Sequence, residues 1–166
     1  MGSLSPSSQH GISQAPSGSG LFKPFDRNLY DQHDLIGKRR VAAWLAAWGF
    51  EVEPGSQYGV DLEVYKHGEL YAEVEVEQRD FGGRCPYQTI HVAERKRKFF
   101  ETDRKTVLFA VDMRGKWAYY TTGRRILNSP LIELPNKYQH GERFYDVPIH
   151  KWVEIRIDTN GYASQV

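Results

Sequence analysis

Two runs of alternating apolar and polar residues, Val60 to Tyr65 and Leu70 to Glu77, are separated by Lys66, His67 and Gly68. Alternation with a period of two marks strands with one buried face, and a three-residue loop with glycine in its left-handed third position often joins such strands. The spacing predicts a β-hairpin in which Tyr65 faces Glu69, Val64 faces Leu70, Leu62 faces Ala72 and Val60 faces Val74. A slip of one residue would set Leu62 against Glu73 and break the apolar face, so burial itself holds the register. The rest of the chain has to cover that face.

The same register decides what lies opposite. Asp61 is set across from Glu73, with Glu63, Glu75 and Glu77 beside them. Facing carboxylates on paired strands have Cβ atoms about 5 Å apart, and like charges there destabilise a sheet. A solvated sheet face would also place Glu at alternate positions. Glutamate is nevertheless a poor strand former, and three on one face of one strand call for a compensating charge. A divalent cation supplies it, since Mg²⁺ takes hard oxygen ligands and is held by one or two carboxylates and waters, leaving positions for a phosphate oxygen.

Around the hairpin, Val41, Trp44, Leu45 and Trp48 recur at the spacing of one buried helix face, predicting a helix from Asp34 to Trp48 with Asp34 as N-cap and Gly49 as its stop. Phe50 to Glu53 reads as a short strand ended by Pro54, Gly55 and Ser56. Beyond the hairpin, Ala93 to Glu101 reads as a short helix and Thr106 to Asp112 as a central strand covered on both faces. Lys116 to Thr122 follows as a strand after an Arg114-Gly115 turn, and the remainder alternates short strands, such as Trp152 to Asp158, with Pro and Gly turns. The expected organisation is a tail over residues 1–20 and one domain over 21–166. The tail has no charged side chain and is mostly Ser, Gly and Pro, so it cannot bury enough apolar surface to offset the entropy of ordering.

The net charge of +1 hides a segregation: Glu51 to Asp80 holds nine acids against two bases, and Glu94 to Lys105 six bases against three acids. Two solvated faces would produce this, as would an acidic metal site beside a basic nucleic-acid contact. No apolar run is long enough to cross a bilayer, the amino terminus has neither the basic nor the apolar region of a secretion signal, and the one cysteine, Cys85, cannot form an internal disulfide. The expectation is a cytoplasmic protein without a membrane partner, its Cys85 a passive thiol.

The stretch Gly59-Val60-Asp61-Leu62, then the turn, then Tyr71-Ala72-Glu73-Val74-Glu75 resembles the Asp…(Asp/Glu)-x-Lys signature of the PD-(D/E)xK superfamily, which includes restriction endonucleases, Holliday-junction resolvases and repair nucleases. The resemblance covers residues 34 to 112. It implies an α/β (α+β) fold with a restriction-endonuclease-like core, a central mixed β-sheet flanked by helices in the order αβββαβ, here with a β-rich C-terminal extension. It further implies a nuclease that hydrolyses phosphodiester bonds with Mg²⁺ (or Mn²⁺) held by Asp61, Glu73 and Glu75, with Asp61 and Glu73 the principal ligands and Glu75 at the usual lysine position. An alternative frame, Glu75-Val76-Glu77, is also compatible, and both frames lack the lysine. The first-helix acid of the family falls near Lys38, with Asp34 one turn earlier on the same face.

Some members of the superfamily carry the lysine on the helix after the third strand, and this chain has Glu94-Arg95-Lys96-Arg97-Lys98 there. Lys96 is the candidate relocated cation, with Arg95 an alternate; Arg95, Lys96, Arg97 and Lys98 together are candidate phosphate contacts, and Gln88 a candidate for positioning water. Tyr119, Tyr120, Arg124 and Arg125 add aromatic and basic groups farther along, where tyrosine ordinarily belongs to core or strand surface, and His67 and His91 lack partners at ligand spacing. The expected substrate is DNA ahead of RNA, in recombination, repair or phage and mobile-element processing, inside a bacterial, archaeal or phage-infected host cell. A homodimer and a protein bound through the tail are the further partners considered. The alternative is a degenerate nuclease fold that only binds nucleic acid or protein.

Overall fold

The computed structural model describes residues 27–56, 59–135, 141–157 and 163–164. The expected tail, and any partner it binds, lie outside the described residues. The chain is a mixed α/β fold. Helix α1 (Arg27–Ala47) is followed by β1 (Glu51–Pro54), β2 (Leu62–Lys66) and β3 (Glu69–Arg79), then by β4 (Thr89–Ala93), a 3₁₀ turn (Glu94–Lys96) and helix α2 (Arg97–Phe100). Next come β5 (Thr106–Asp112), β6 (Trp117–Thr122), helix α3 (Gly123–Leu127), β7 (Leu131–Glu133), β8 (Arg143–Pro148), β9 (Val153–Ile157) and β10 (Ala163–Ser164).

Seven strands form the main sheet in the order β1-β2-β3-β5-β6-β9-β10, in which β3 and β5 run parallel and the other neighbours antiparallel. β4, β8 and β7 form a second, smaller sheet. On one face of the main sheet, Val41, Trp44 and Leu45 of α1 pack on Leu62, Val64, Val74, Val76, Phe109 and Val111. On the other, Leu108, Ala110 and Tyr119 meet Ile90, Val92 and Val147 of the small sheet, with Phe100 and Ile126 from the short helices. β5 is therefore covered on both faces, as its nearly unbroken apolar run requires.

The hairpin register differs from the expected one. Lys66 faces Glu69, Tyr65 faces Leu70, Val64 faces Ala72, Glu63 faces Glu73 and Leu62 faces Val74. The connection is a two-residue turn, His67 and Gly68, both left-handed with φ of 53° and 78°, the conformation that matches the twist of paired strands. A bulge then admits Tyr71 as an extra residue in β3. Turn and bulge together displace the partners by two residues, an even number, so the buried face keeps its residues while the pairs across it change. The expected facing of Asp61 and Glu73 is thereby overturned.

Other boundaries move as well. α1 begins a full turn or more before Asp34, which lies inside the helix and is no N-cap. Trp48 is half-exposed just beyond the helix end, because the chain leaves the α1 axis at Gly49, whose φ is 86°. The expected helix from Ala93 is a 3₁₀ turn and one turn of α-helix, with Ala93 itself ending β4. β4 inserts a strand into the expected αβββαβ order, and α3 has no counterpart in that order. Among the described residues, no helix is long and apolar enough to cross a membrane.

Candidate active site

Where β2 begins, its partner strand continues past it, leaving backbone groups of β3 without a ladder. Asp61, just ahead of β2, fills that place: its Oδ2 accepts the Val76 N–H at 2.8 Å. The position is set by Gly55, whose N–H donates to the Asp61 carbonyl at 3.0 Å. A Cβ at Gly55 would stand 1.8 Å from the Val60 carbonyl oxygen, so only glycine allows the approach. The other oxygen of Asp61, Oδ1, meets Lys38 Nζ at 2.9 Å, and Lys38 also reaches Asp34 Oδ2 at 2.6 Å. Asp34 and Lys38 are one turn apart on α1, so the helix presents an ion pair to Asp61. Burial opposes the charge on Lys38, but its hydrogen bonds to Asp34 and Asp61 outweigh that and raise its pKa.

Continuing the register past Leu62 and Val74 places Asp61 beside Glu75, which feels its charge. Glu75 is buried, 6% exposed. Burial, eased by Lys96 and reinforced by Asp61, pushes its carboxyl from an ordinary 4.5 up to about 7. Lys96 Nζ, from the 3₁₀ turn after β4, lies 3.1 Å from Glu75 Oε2 and 3.0 Å from Glu77 Oε1. Burial works against the Lys96 charge, yet Glu77 and Glu75 raise its pKa overall. Glu77 is partly buried, but Arg79 and Lys96 together hold its carboxyl below the usual range. Arg79 in turn donates to the His91 carbonyl at 2.7 Å, tying the end of β3 to β4.

Glu73 is on the same face of β3 but is paired with Arg104, away from Asp61. Asp61, Glu73 and Glu75 therefore do not converge as three ligands, and among the described residues no three His, Cys, Asp or Glu side chains gather closely enough for a metal ion. Of the basic run, Arg97 is paired with Glu101, Arg95 lies 4.0 Å from Glu142, and Lys98 sits over the Phe99 ring. Gln88 is exposed ahead of β4, where its carbonyl accepts the Ile149 N–H at 2.8 Å. Tyr119 is core, its hydroxyl donating to Glu154 at 2.7 Å, and Tyr120 packs with Trp44 and Phe109. His91 Nε2 lies 3.1 Å from Asp146 Oδ1, and Cys85 is a free thiol whose pKa burial raises.

Lys38 and Arg104 hold the acids of this face without any sequence motif to mark them. Lys38 stands four residues after Asp34, a spacing that signals a helical ion pair, but its reach to Asp61 depends on how α1 crosses the sheet. Arg104 is, in the sequence, one more base in a charged run.

Two carboxylates thus stand side by side, one of them buried with its proton affinity raised, and an ammonium group touches the buried one. Each acid of the pair has one ammonium against it, Lys38 on Asp61 and Lys96 on Glu75. Two carboxylates completed by water are a usual setting for Mg²⁺, and here Lys38 and Lys96 lie against oxygens of this pair. Comparison with protein-family models, with curated proteins and with solved structures gave no match.

Proposed function

We propose that the chain is a divalent-metal phosphodiesterase acting on DNA, with a restriction-endonuclease-like core and with Asp61 and Glu75 as the residues that would hold Mg²⁺ or Mn²⁺. The observation that carries this reading is the juxtaposition of Asp61, Glu75 and the Lys96 ammonium at the mouth of the β2-β3 hairpin. It favours the frame Glu75-Val76-Glu77 over Glu73-Val74-Glu75. Glu77 then occupies the motif lysine's place, and Lys96 brings a cation to that place from the following turn. The path from α1 through three antiparallel strands to β5, parallel to β3, supports the core assignment; β4 and the small sheet are additions to it.

Bound at the pair, the metal ion would polarise a phosphodiester and lower the pKa of a water. The chain's own residues do the rest. The Val76 N–H and Lys38 fix the Asp61 carboxylate. Lys96 stands beside Glu75, where an ammonium stabilises charge developing on phosphoryl oxygens. Glu77, neutralised by Arg79 and Lys96, positions that ammonium.

The test is incubation with plasmid and branched DNA in Mg²⁺ or Mn²⁺. Cleavage is expected to need the ion and to be lost in Asp61→Ala and Glu75→Ala. Cleavage that survives both substitutions would sink the assignment. A second reading, a nucleic-acid-binding module without hydrolysis, is favoured by the glutamate at the lysine position and by the two ion pairs that hold Lys96; DNA retention without cleavage would select it.

A further inference from the structure

The face of β3 that carries Glu73 and Glu75 opens, at Glu73, into a groove. Two concavities share Thr102 and Arg104 as a common wall; one reaches Gly59, Val60 and Glu73, and the other continues past Lys105 to Arg124 and Asn128. They lie on the same sheet face as the acids, since Glu73 pairs with Thr106 and Glu75 with Leu108 in the parallel register. One step along β3, from Glu75 to Glu73, covers about 7 Å. The groove therefore begins within about a nucleotide's reach of the acidic pair.

Its charge is mostly positive. Lys98, Arg104, Lys105 and Arg124 line it, against Asp103 and Glu73. Arg104 is matched by Glu73. Among the described residues Lys105 has only a neutral partner, the Tyr71 hydroxyl at 2.7 Å, with the Tyr71 ring beneath its ammonium. Arg124 has no side-chain hydrogen bond or ion pair among the described residues. Lys105 and Arg124, and Lys98 over its Phe99 ring, therefore face one groove without an acid among the described residues, whereas the neighbouring Arg97 is tied to Glu101.

We propose that this groove is the track of one nucleic-acid strand, with Lys105 and Arg124 contacting phosphates beyond the one that is cut. The proposal rests on the reading of Asp61 and Glu75 as the hydrolytic pair, because that pair defines which phosphate is cut. Repeating anions suit cations spaced along a wall, and such contacts position a strand without reading its sequence.

Binding of a fluorescently labelled single-stranded oligonucleotide is measured by anisotropy in EDTA over a series of salt concentrations. Lys105→Ala and Arg124→Ala are each expected to weaken binding and to lower the salt slope by about 0.7 for each phosphate left without its cation. Lys105→Arg keeps the slope, and Arg114→Ala, in the turn at the far end of β5 and β6, leaves both affinity and slope unchanged. Thermal unfolding of each variant separates lost binding from lost folding. Affinities and slopes equal to those of Arg114→Ala, or no binding by the wild type at low salt, would overturn the groove assignment. Cleavage is scored separately: weakened binding without cleavage by the wild type keeps the groove and removes the nuclease reading, and cleavage with unaltered binding does the reverse.

Discussion

Replacing Glu75 by glutamine turns a buried acid into a neutral isostere of its protonated form. In the folded chain that acid titrates at about 7 instead of 4.5, with burial the main cause and the Asp61 charge a lesser one. An acid whose folded pKa is raised costs stability above its unfolded pKa; the cost grows as pH rises through 4.5 and levels off above about 7. At about 1.4 kcal/mol per pH unit the full cost is about 3 kcal/mol. That figure already contains the help from Lys96, since the shift is the net of all its causes. Glu75→Gln is therefore expected to stabilise the metal-free protein by about 3 kcal/mol near pH 8 and by under about 1 kcal/mol near pH 5, where the wild-type acid is already protonated in the fold. For a chain of this size the gain near pH 8 corresponds to roughly 6–12 °C in Tm. Urea unfolding at the two pH values, with EDTA present, measures it. A variant that is neutral or destabilised near pH 8 would refute the reasoning. It would mean that Lys96 satisfies Glu75 fully, leaving no deficit of positive charge for a metal ion to fill.

Two further substitutions separate the roles of neighbouring groups. Glu73→Gln is expected to leave the cleavage rate within about threefold of wild type, because its partner Arg104 is largely exposed and such pairs contribute little; a loss equal to that of Glu75→Gln would restore Glu73 as a ligand. Lys38→Met removes a cation that sits 2.9 Å from Asp61 and should tighten Mg²⁺ binding on the order of tenfold in a calorimetric titration. Weaker binding would instead mean that the hold of Lys38 on Asp61 outweighs its repulsion of the ion.

The hairpin illustrates what the chain's pattern determines and what it leaves open. Leu62, Val64, Ala72 and Val74 are legible as one buried face because burial constrains parity, and an even displacement preserves parity. Which acid faces which is not legible, since it depends on the two-residue turn at His67-Gly68 and on the bulge at Tyr71, neither of which alters the alternation around them. β5 is legible from end to end, its apolar run being long and covered on both faces. β4 is not, because five residues between a loop and a helix present too little alternation to read. Lys96 can be singled out by its charge and its place after the third strand, but its contact with Glu75 and Glu77 is a property of the turn after β4. The ion pair from Arg104 to Glu73 and that from Lys38 to Asp61 join elements far apart in sequence, so no local pattern announces them.

Crystals soaked in Mn²⁺ and measured at its absorption edge test the central claim most directly. The account predicts one anomalous peak within coordination distance of both Asp61 and Glu75, with Lys96 still beside Glu75 and Glu73 still on Arg104. A peak held by Glu73, or no peak between Asp61 and Glu75 at saturating ion, would contradict it.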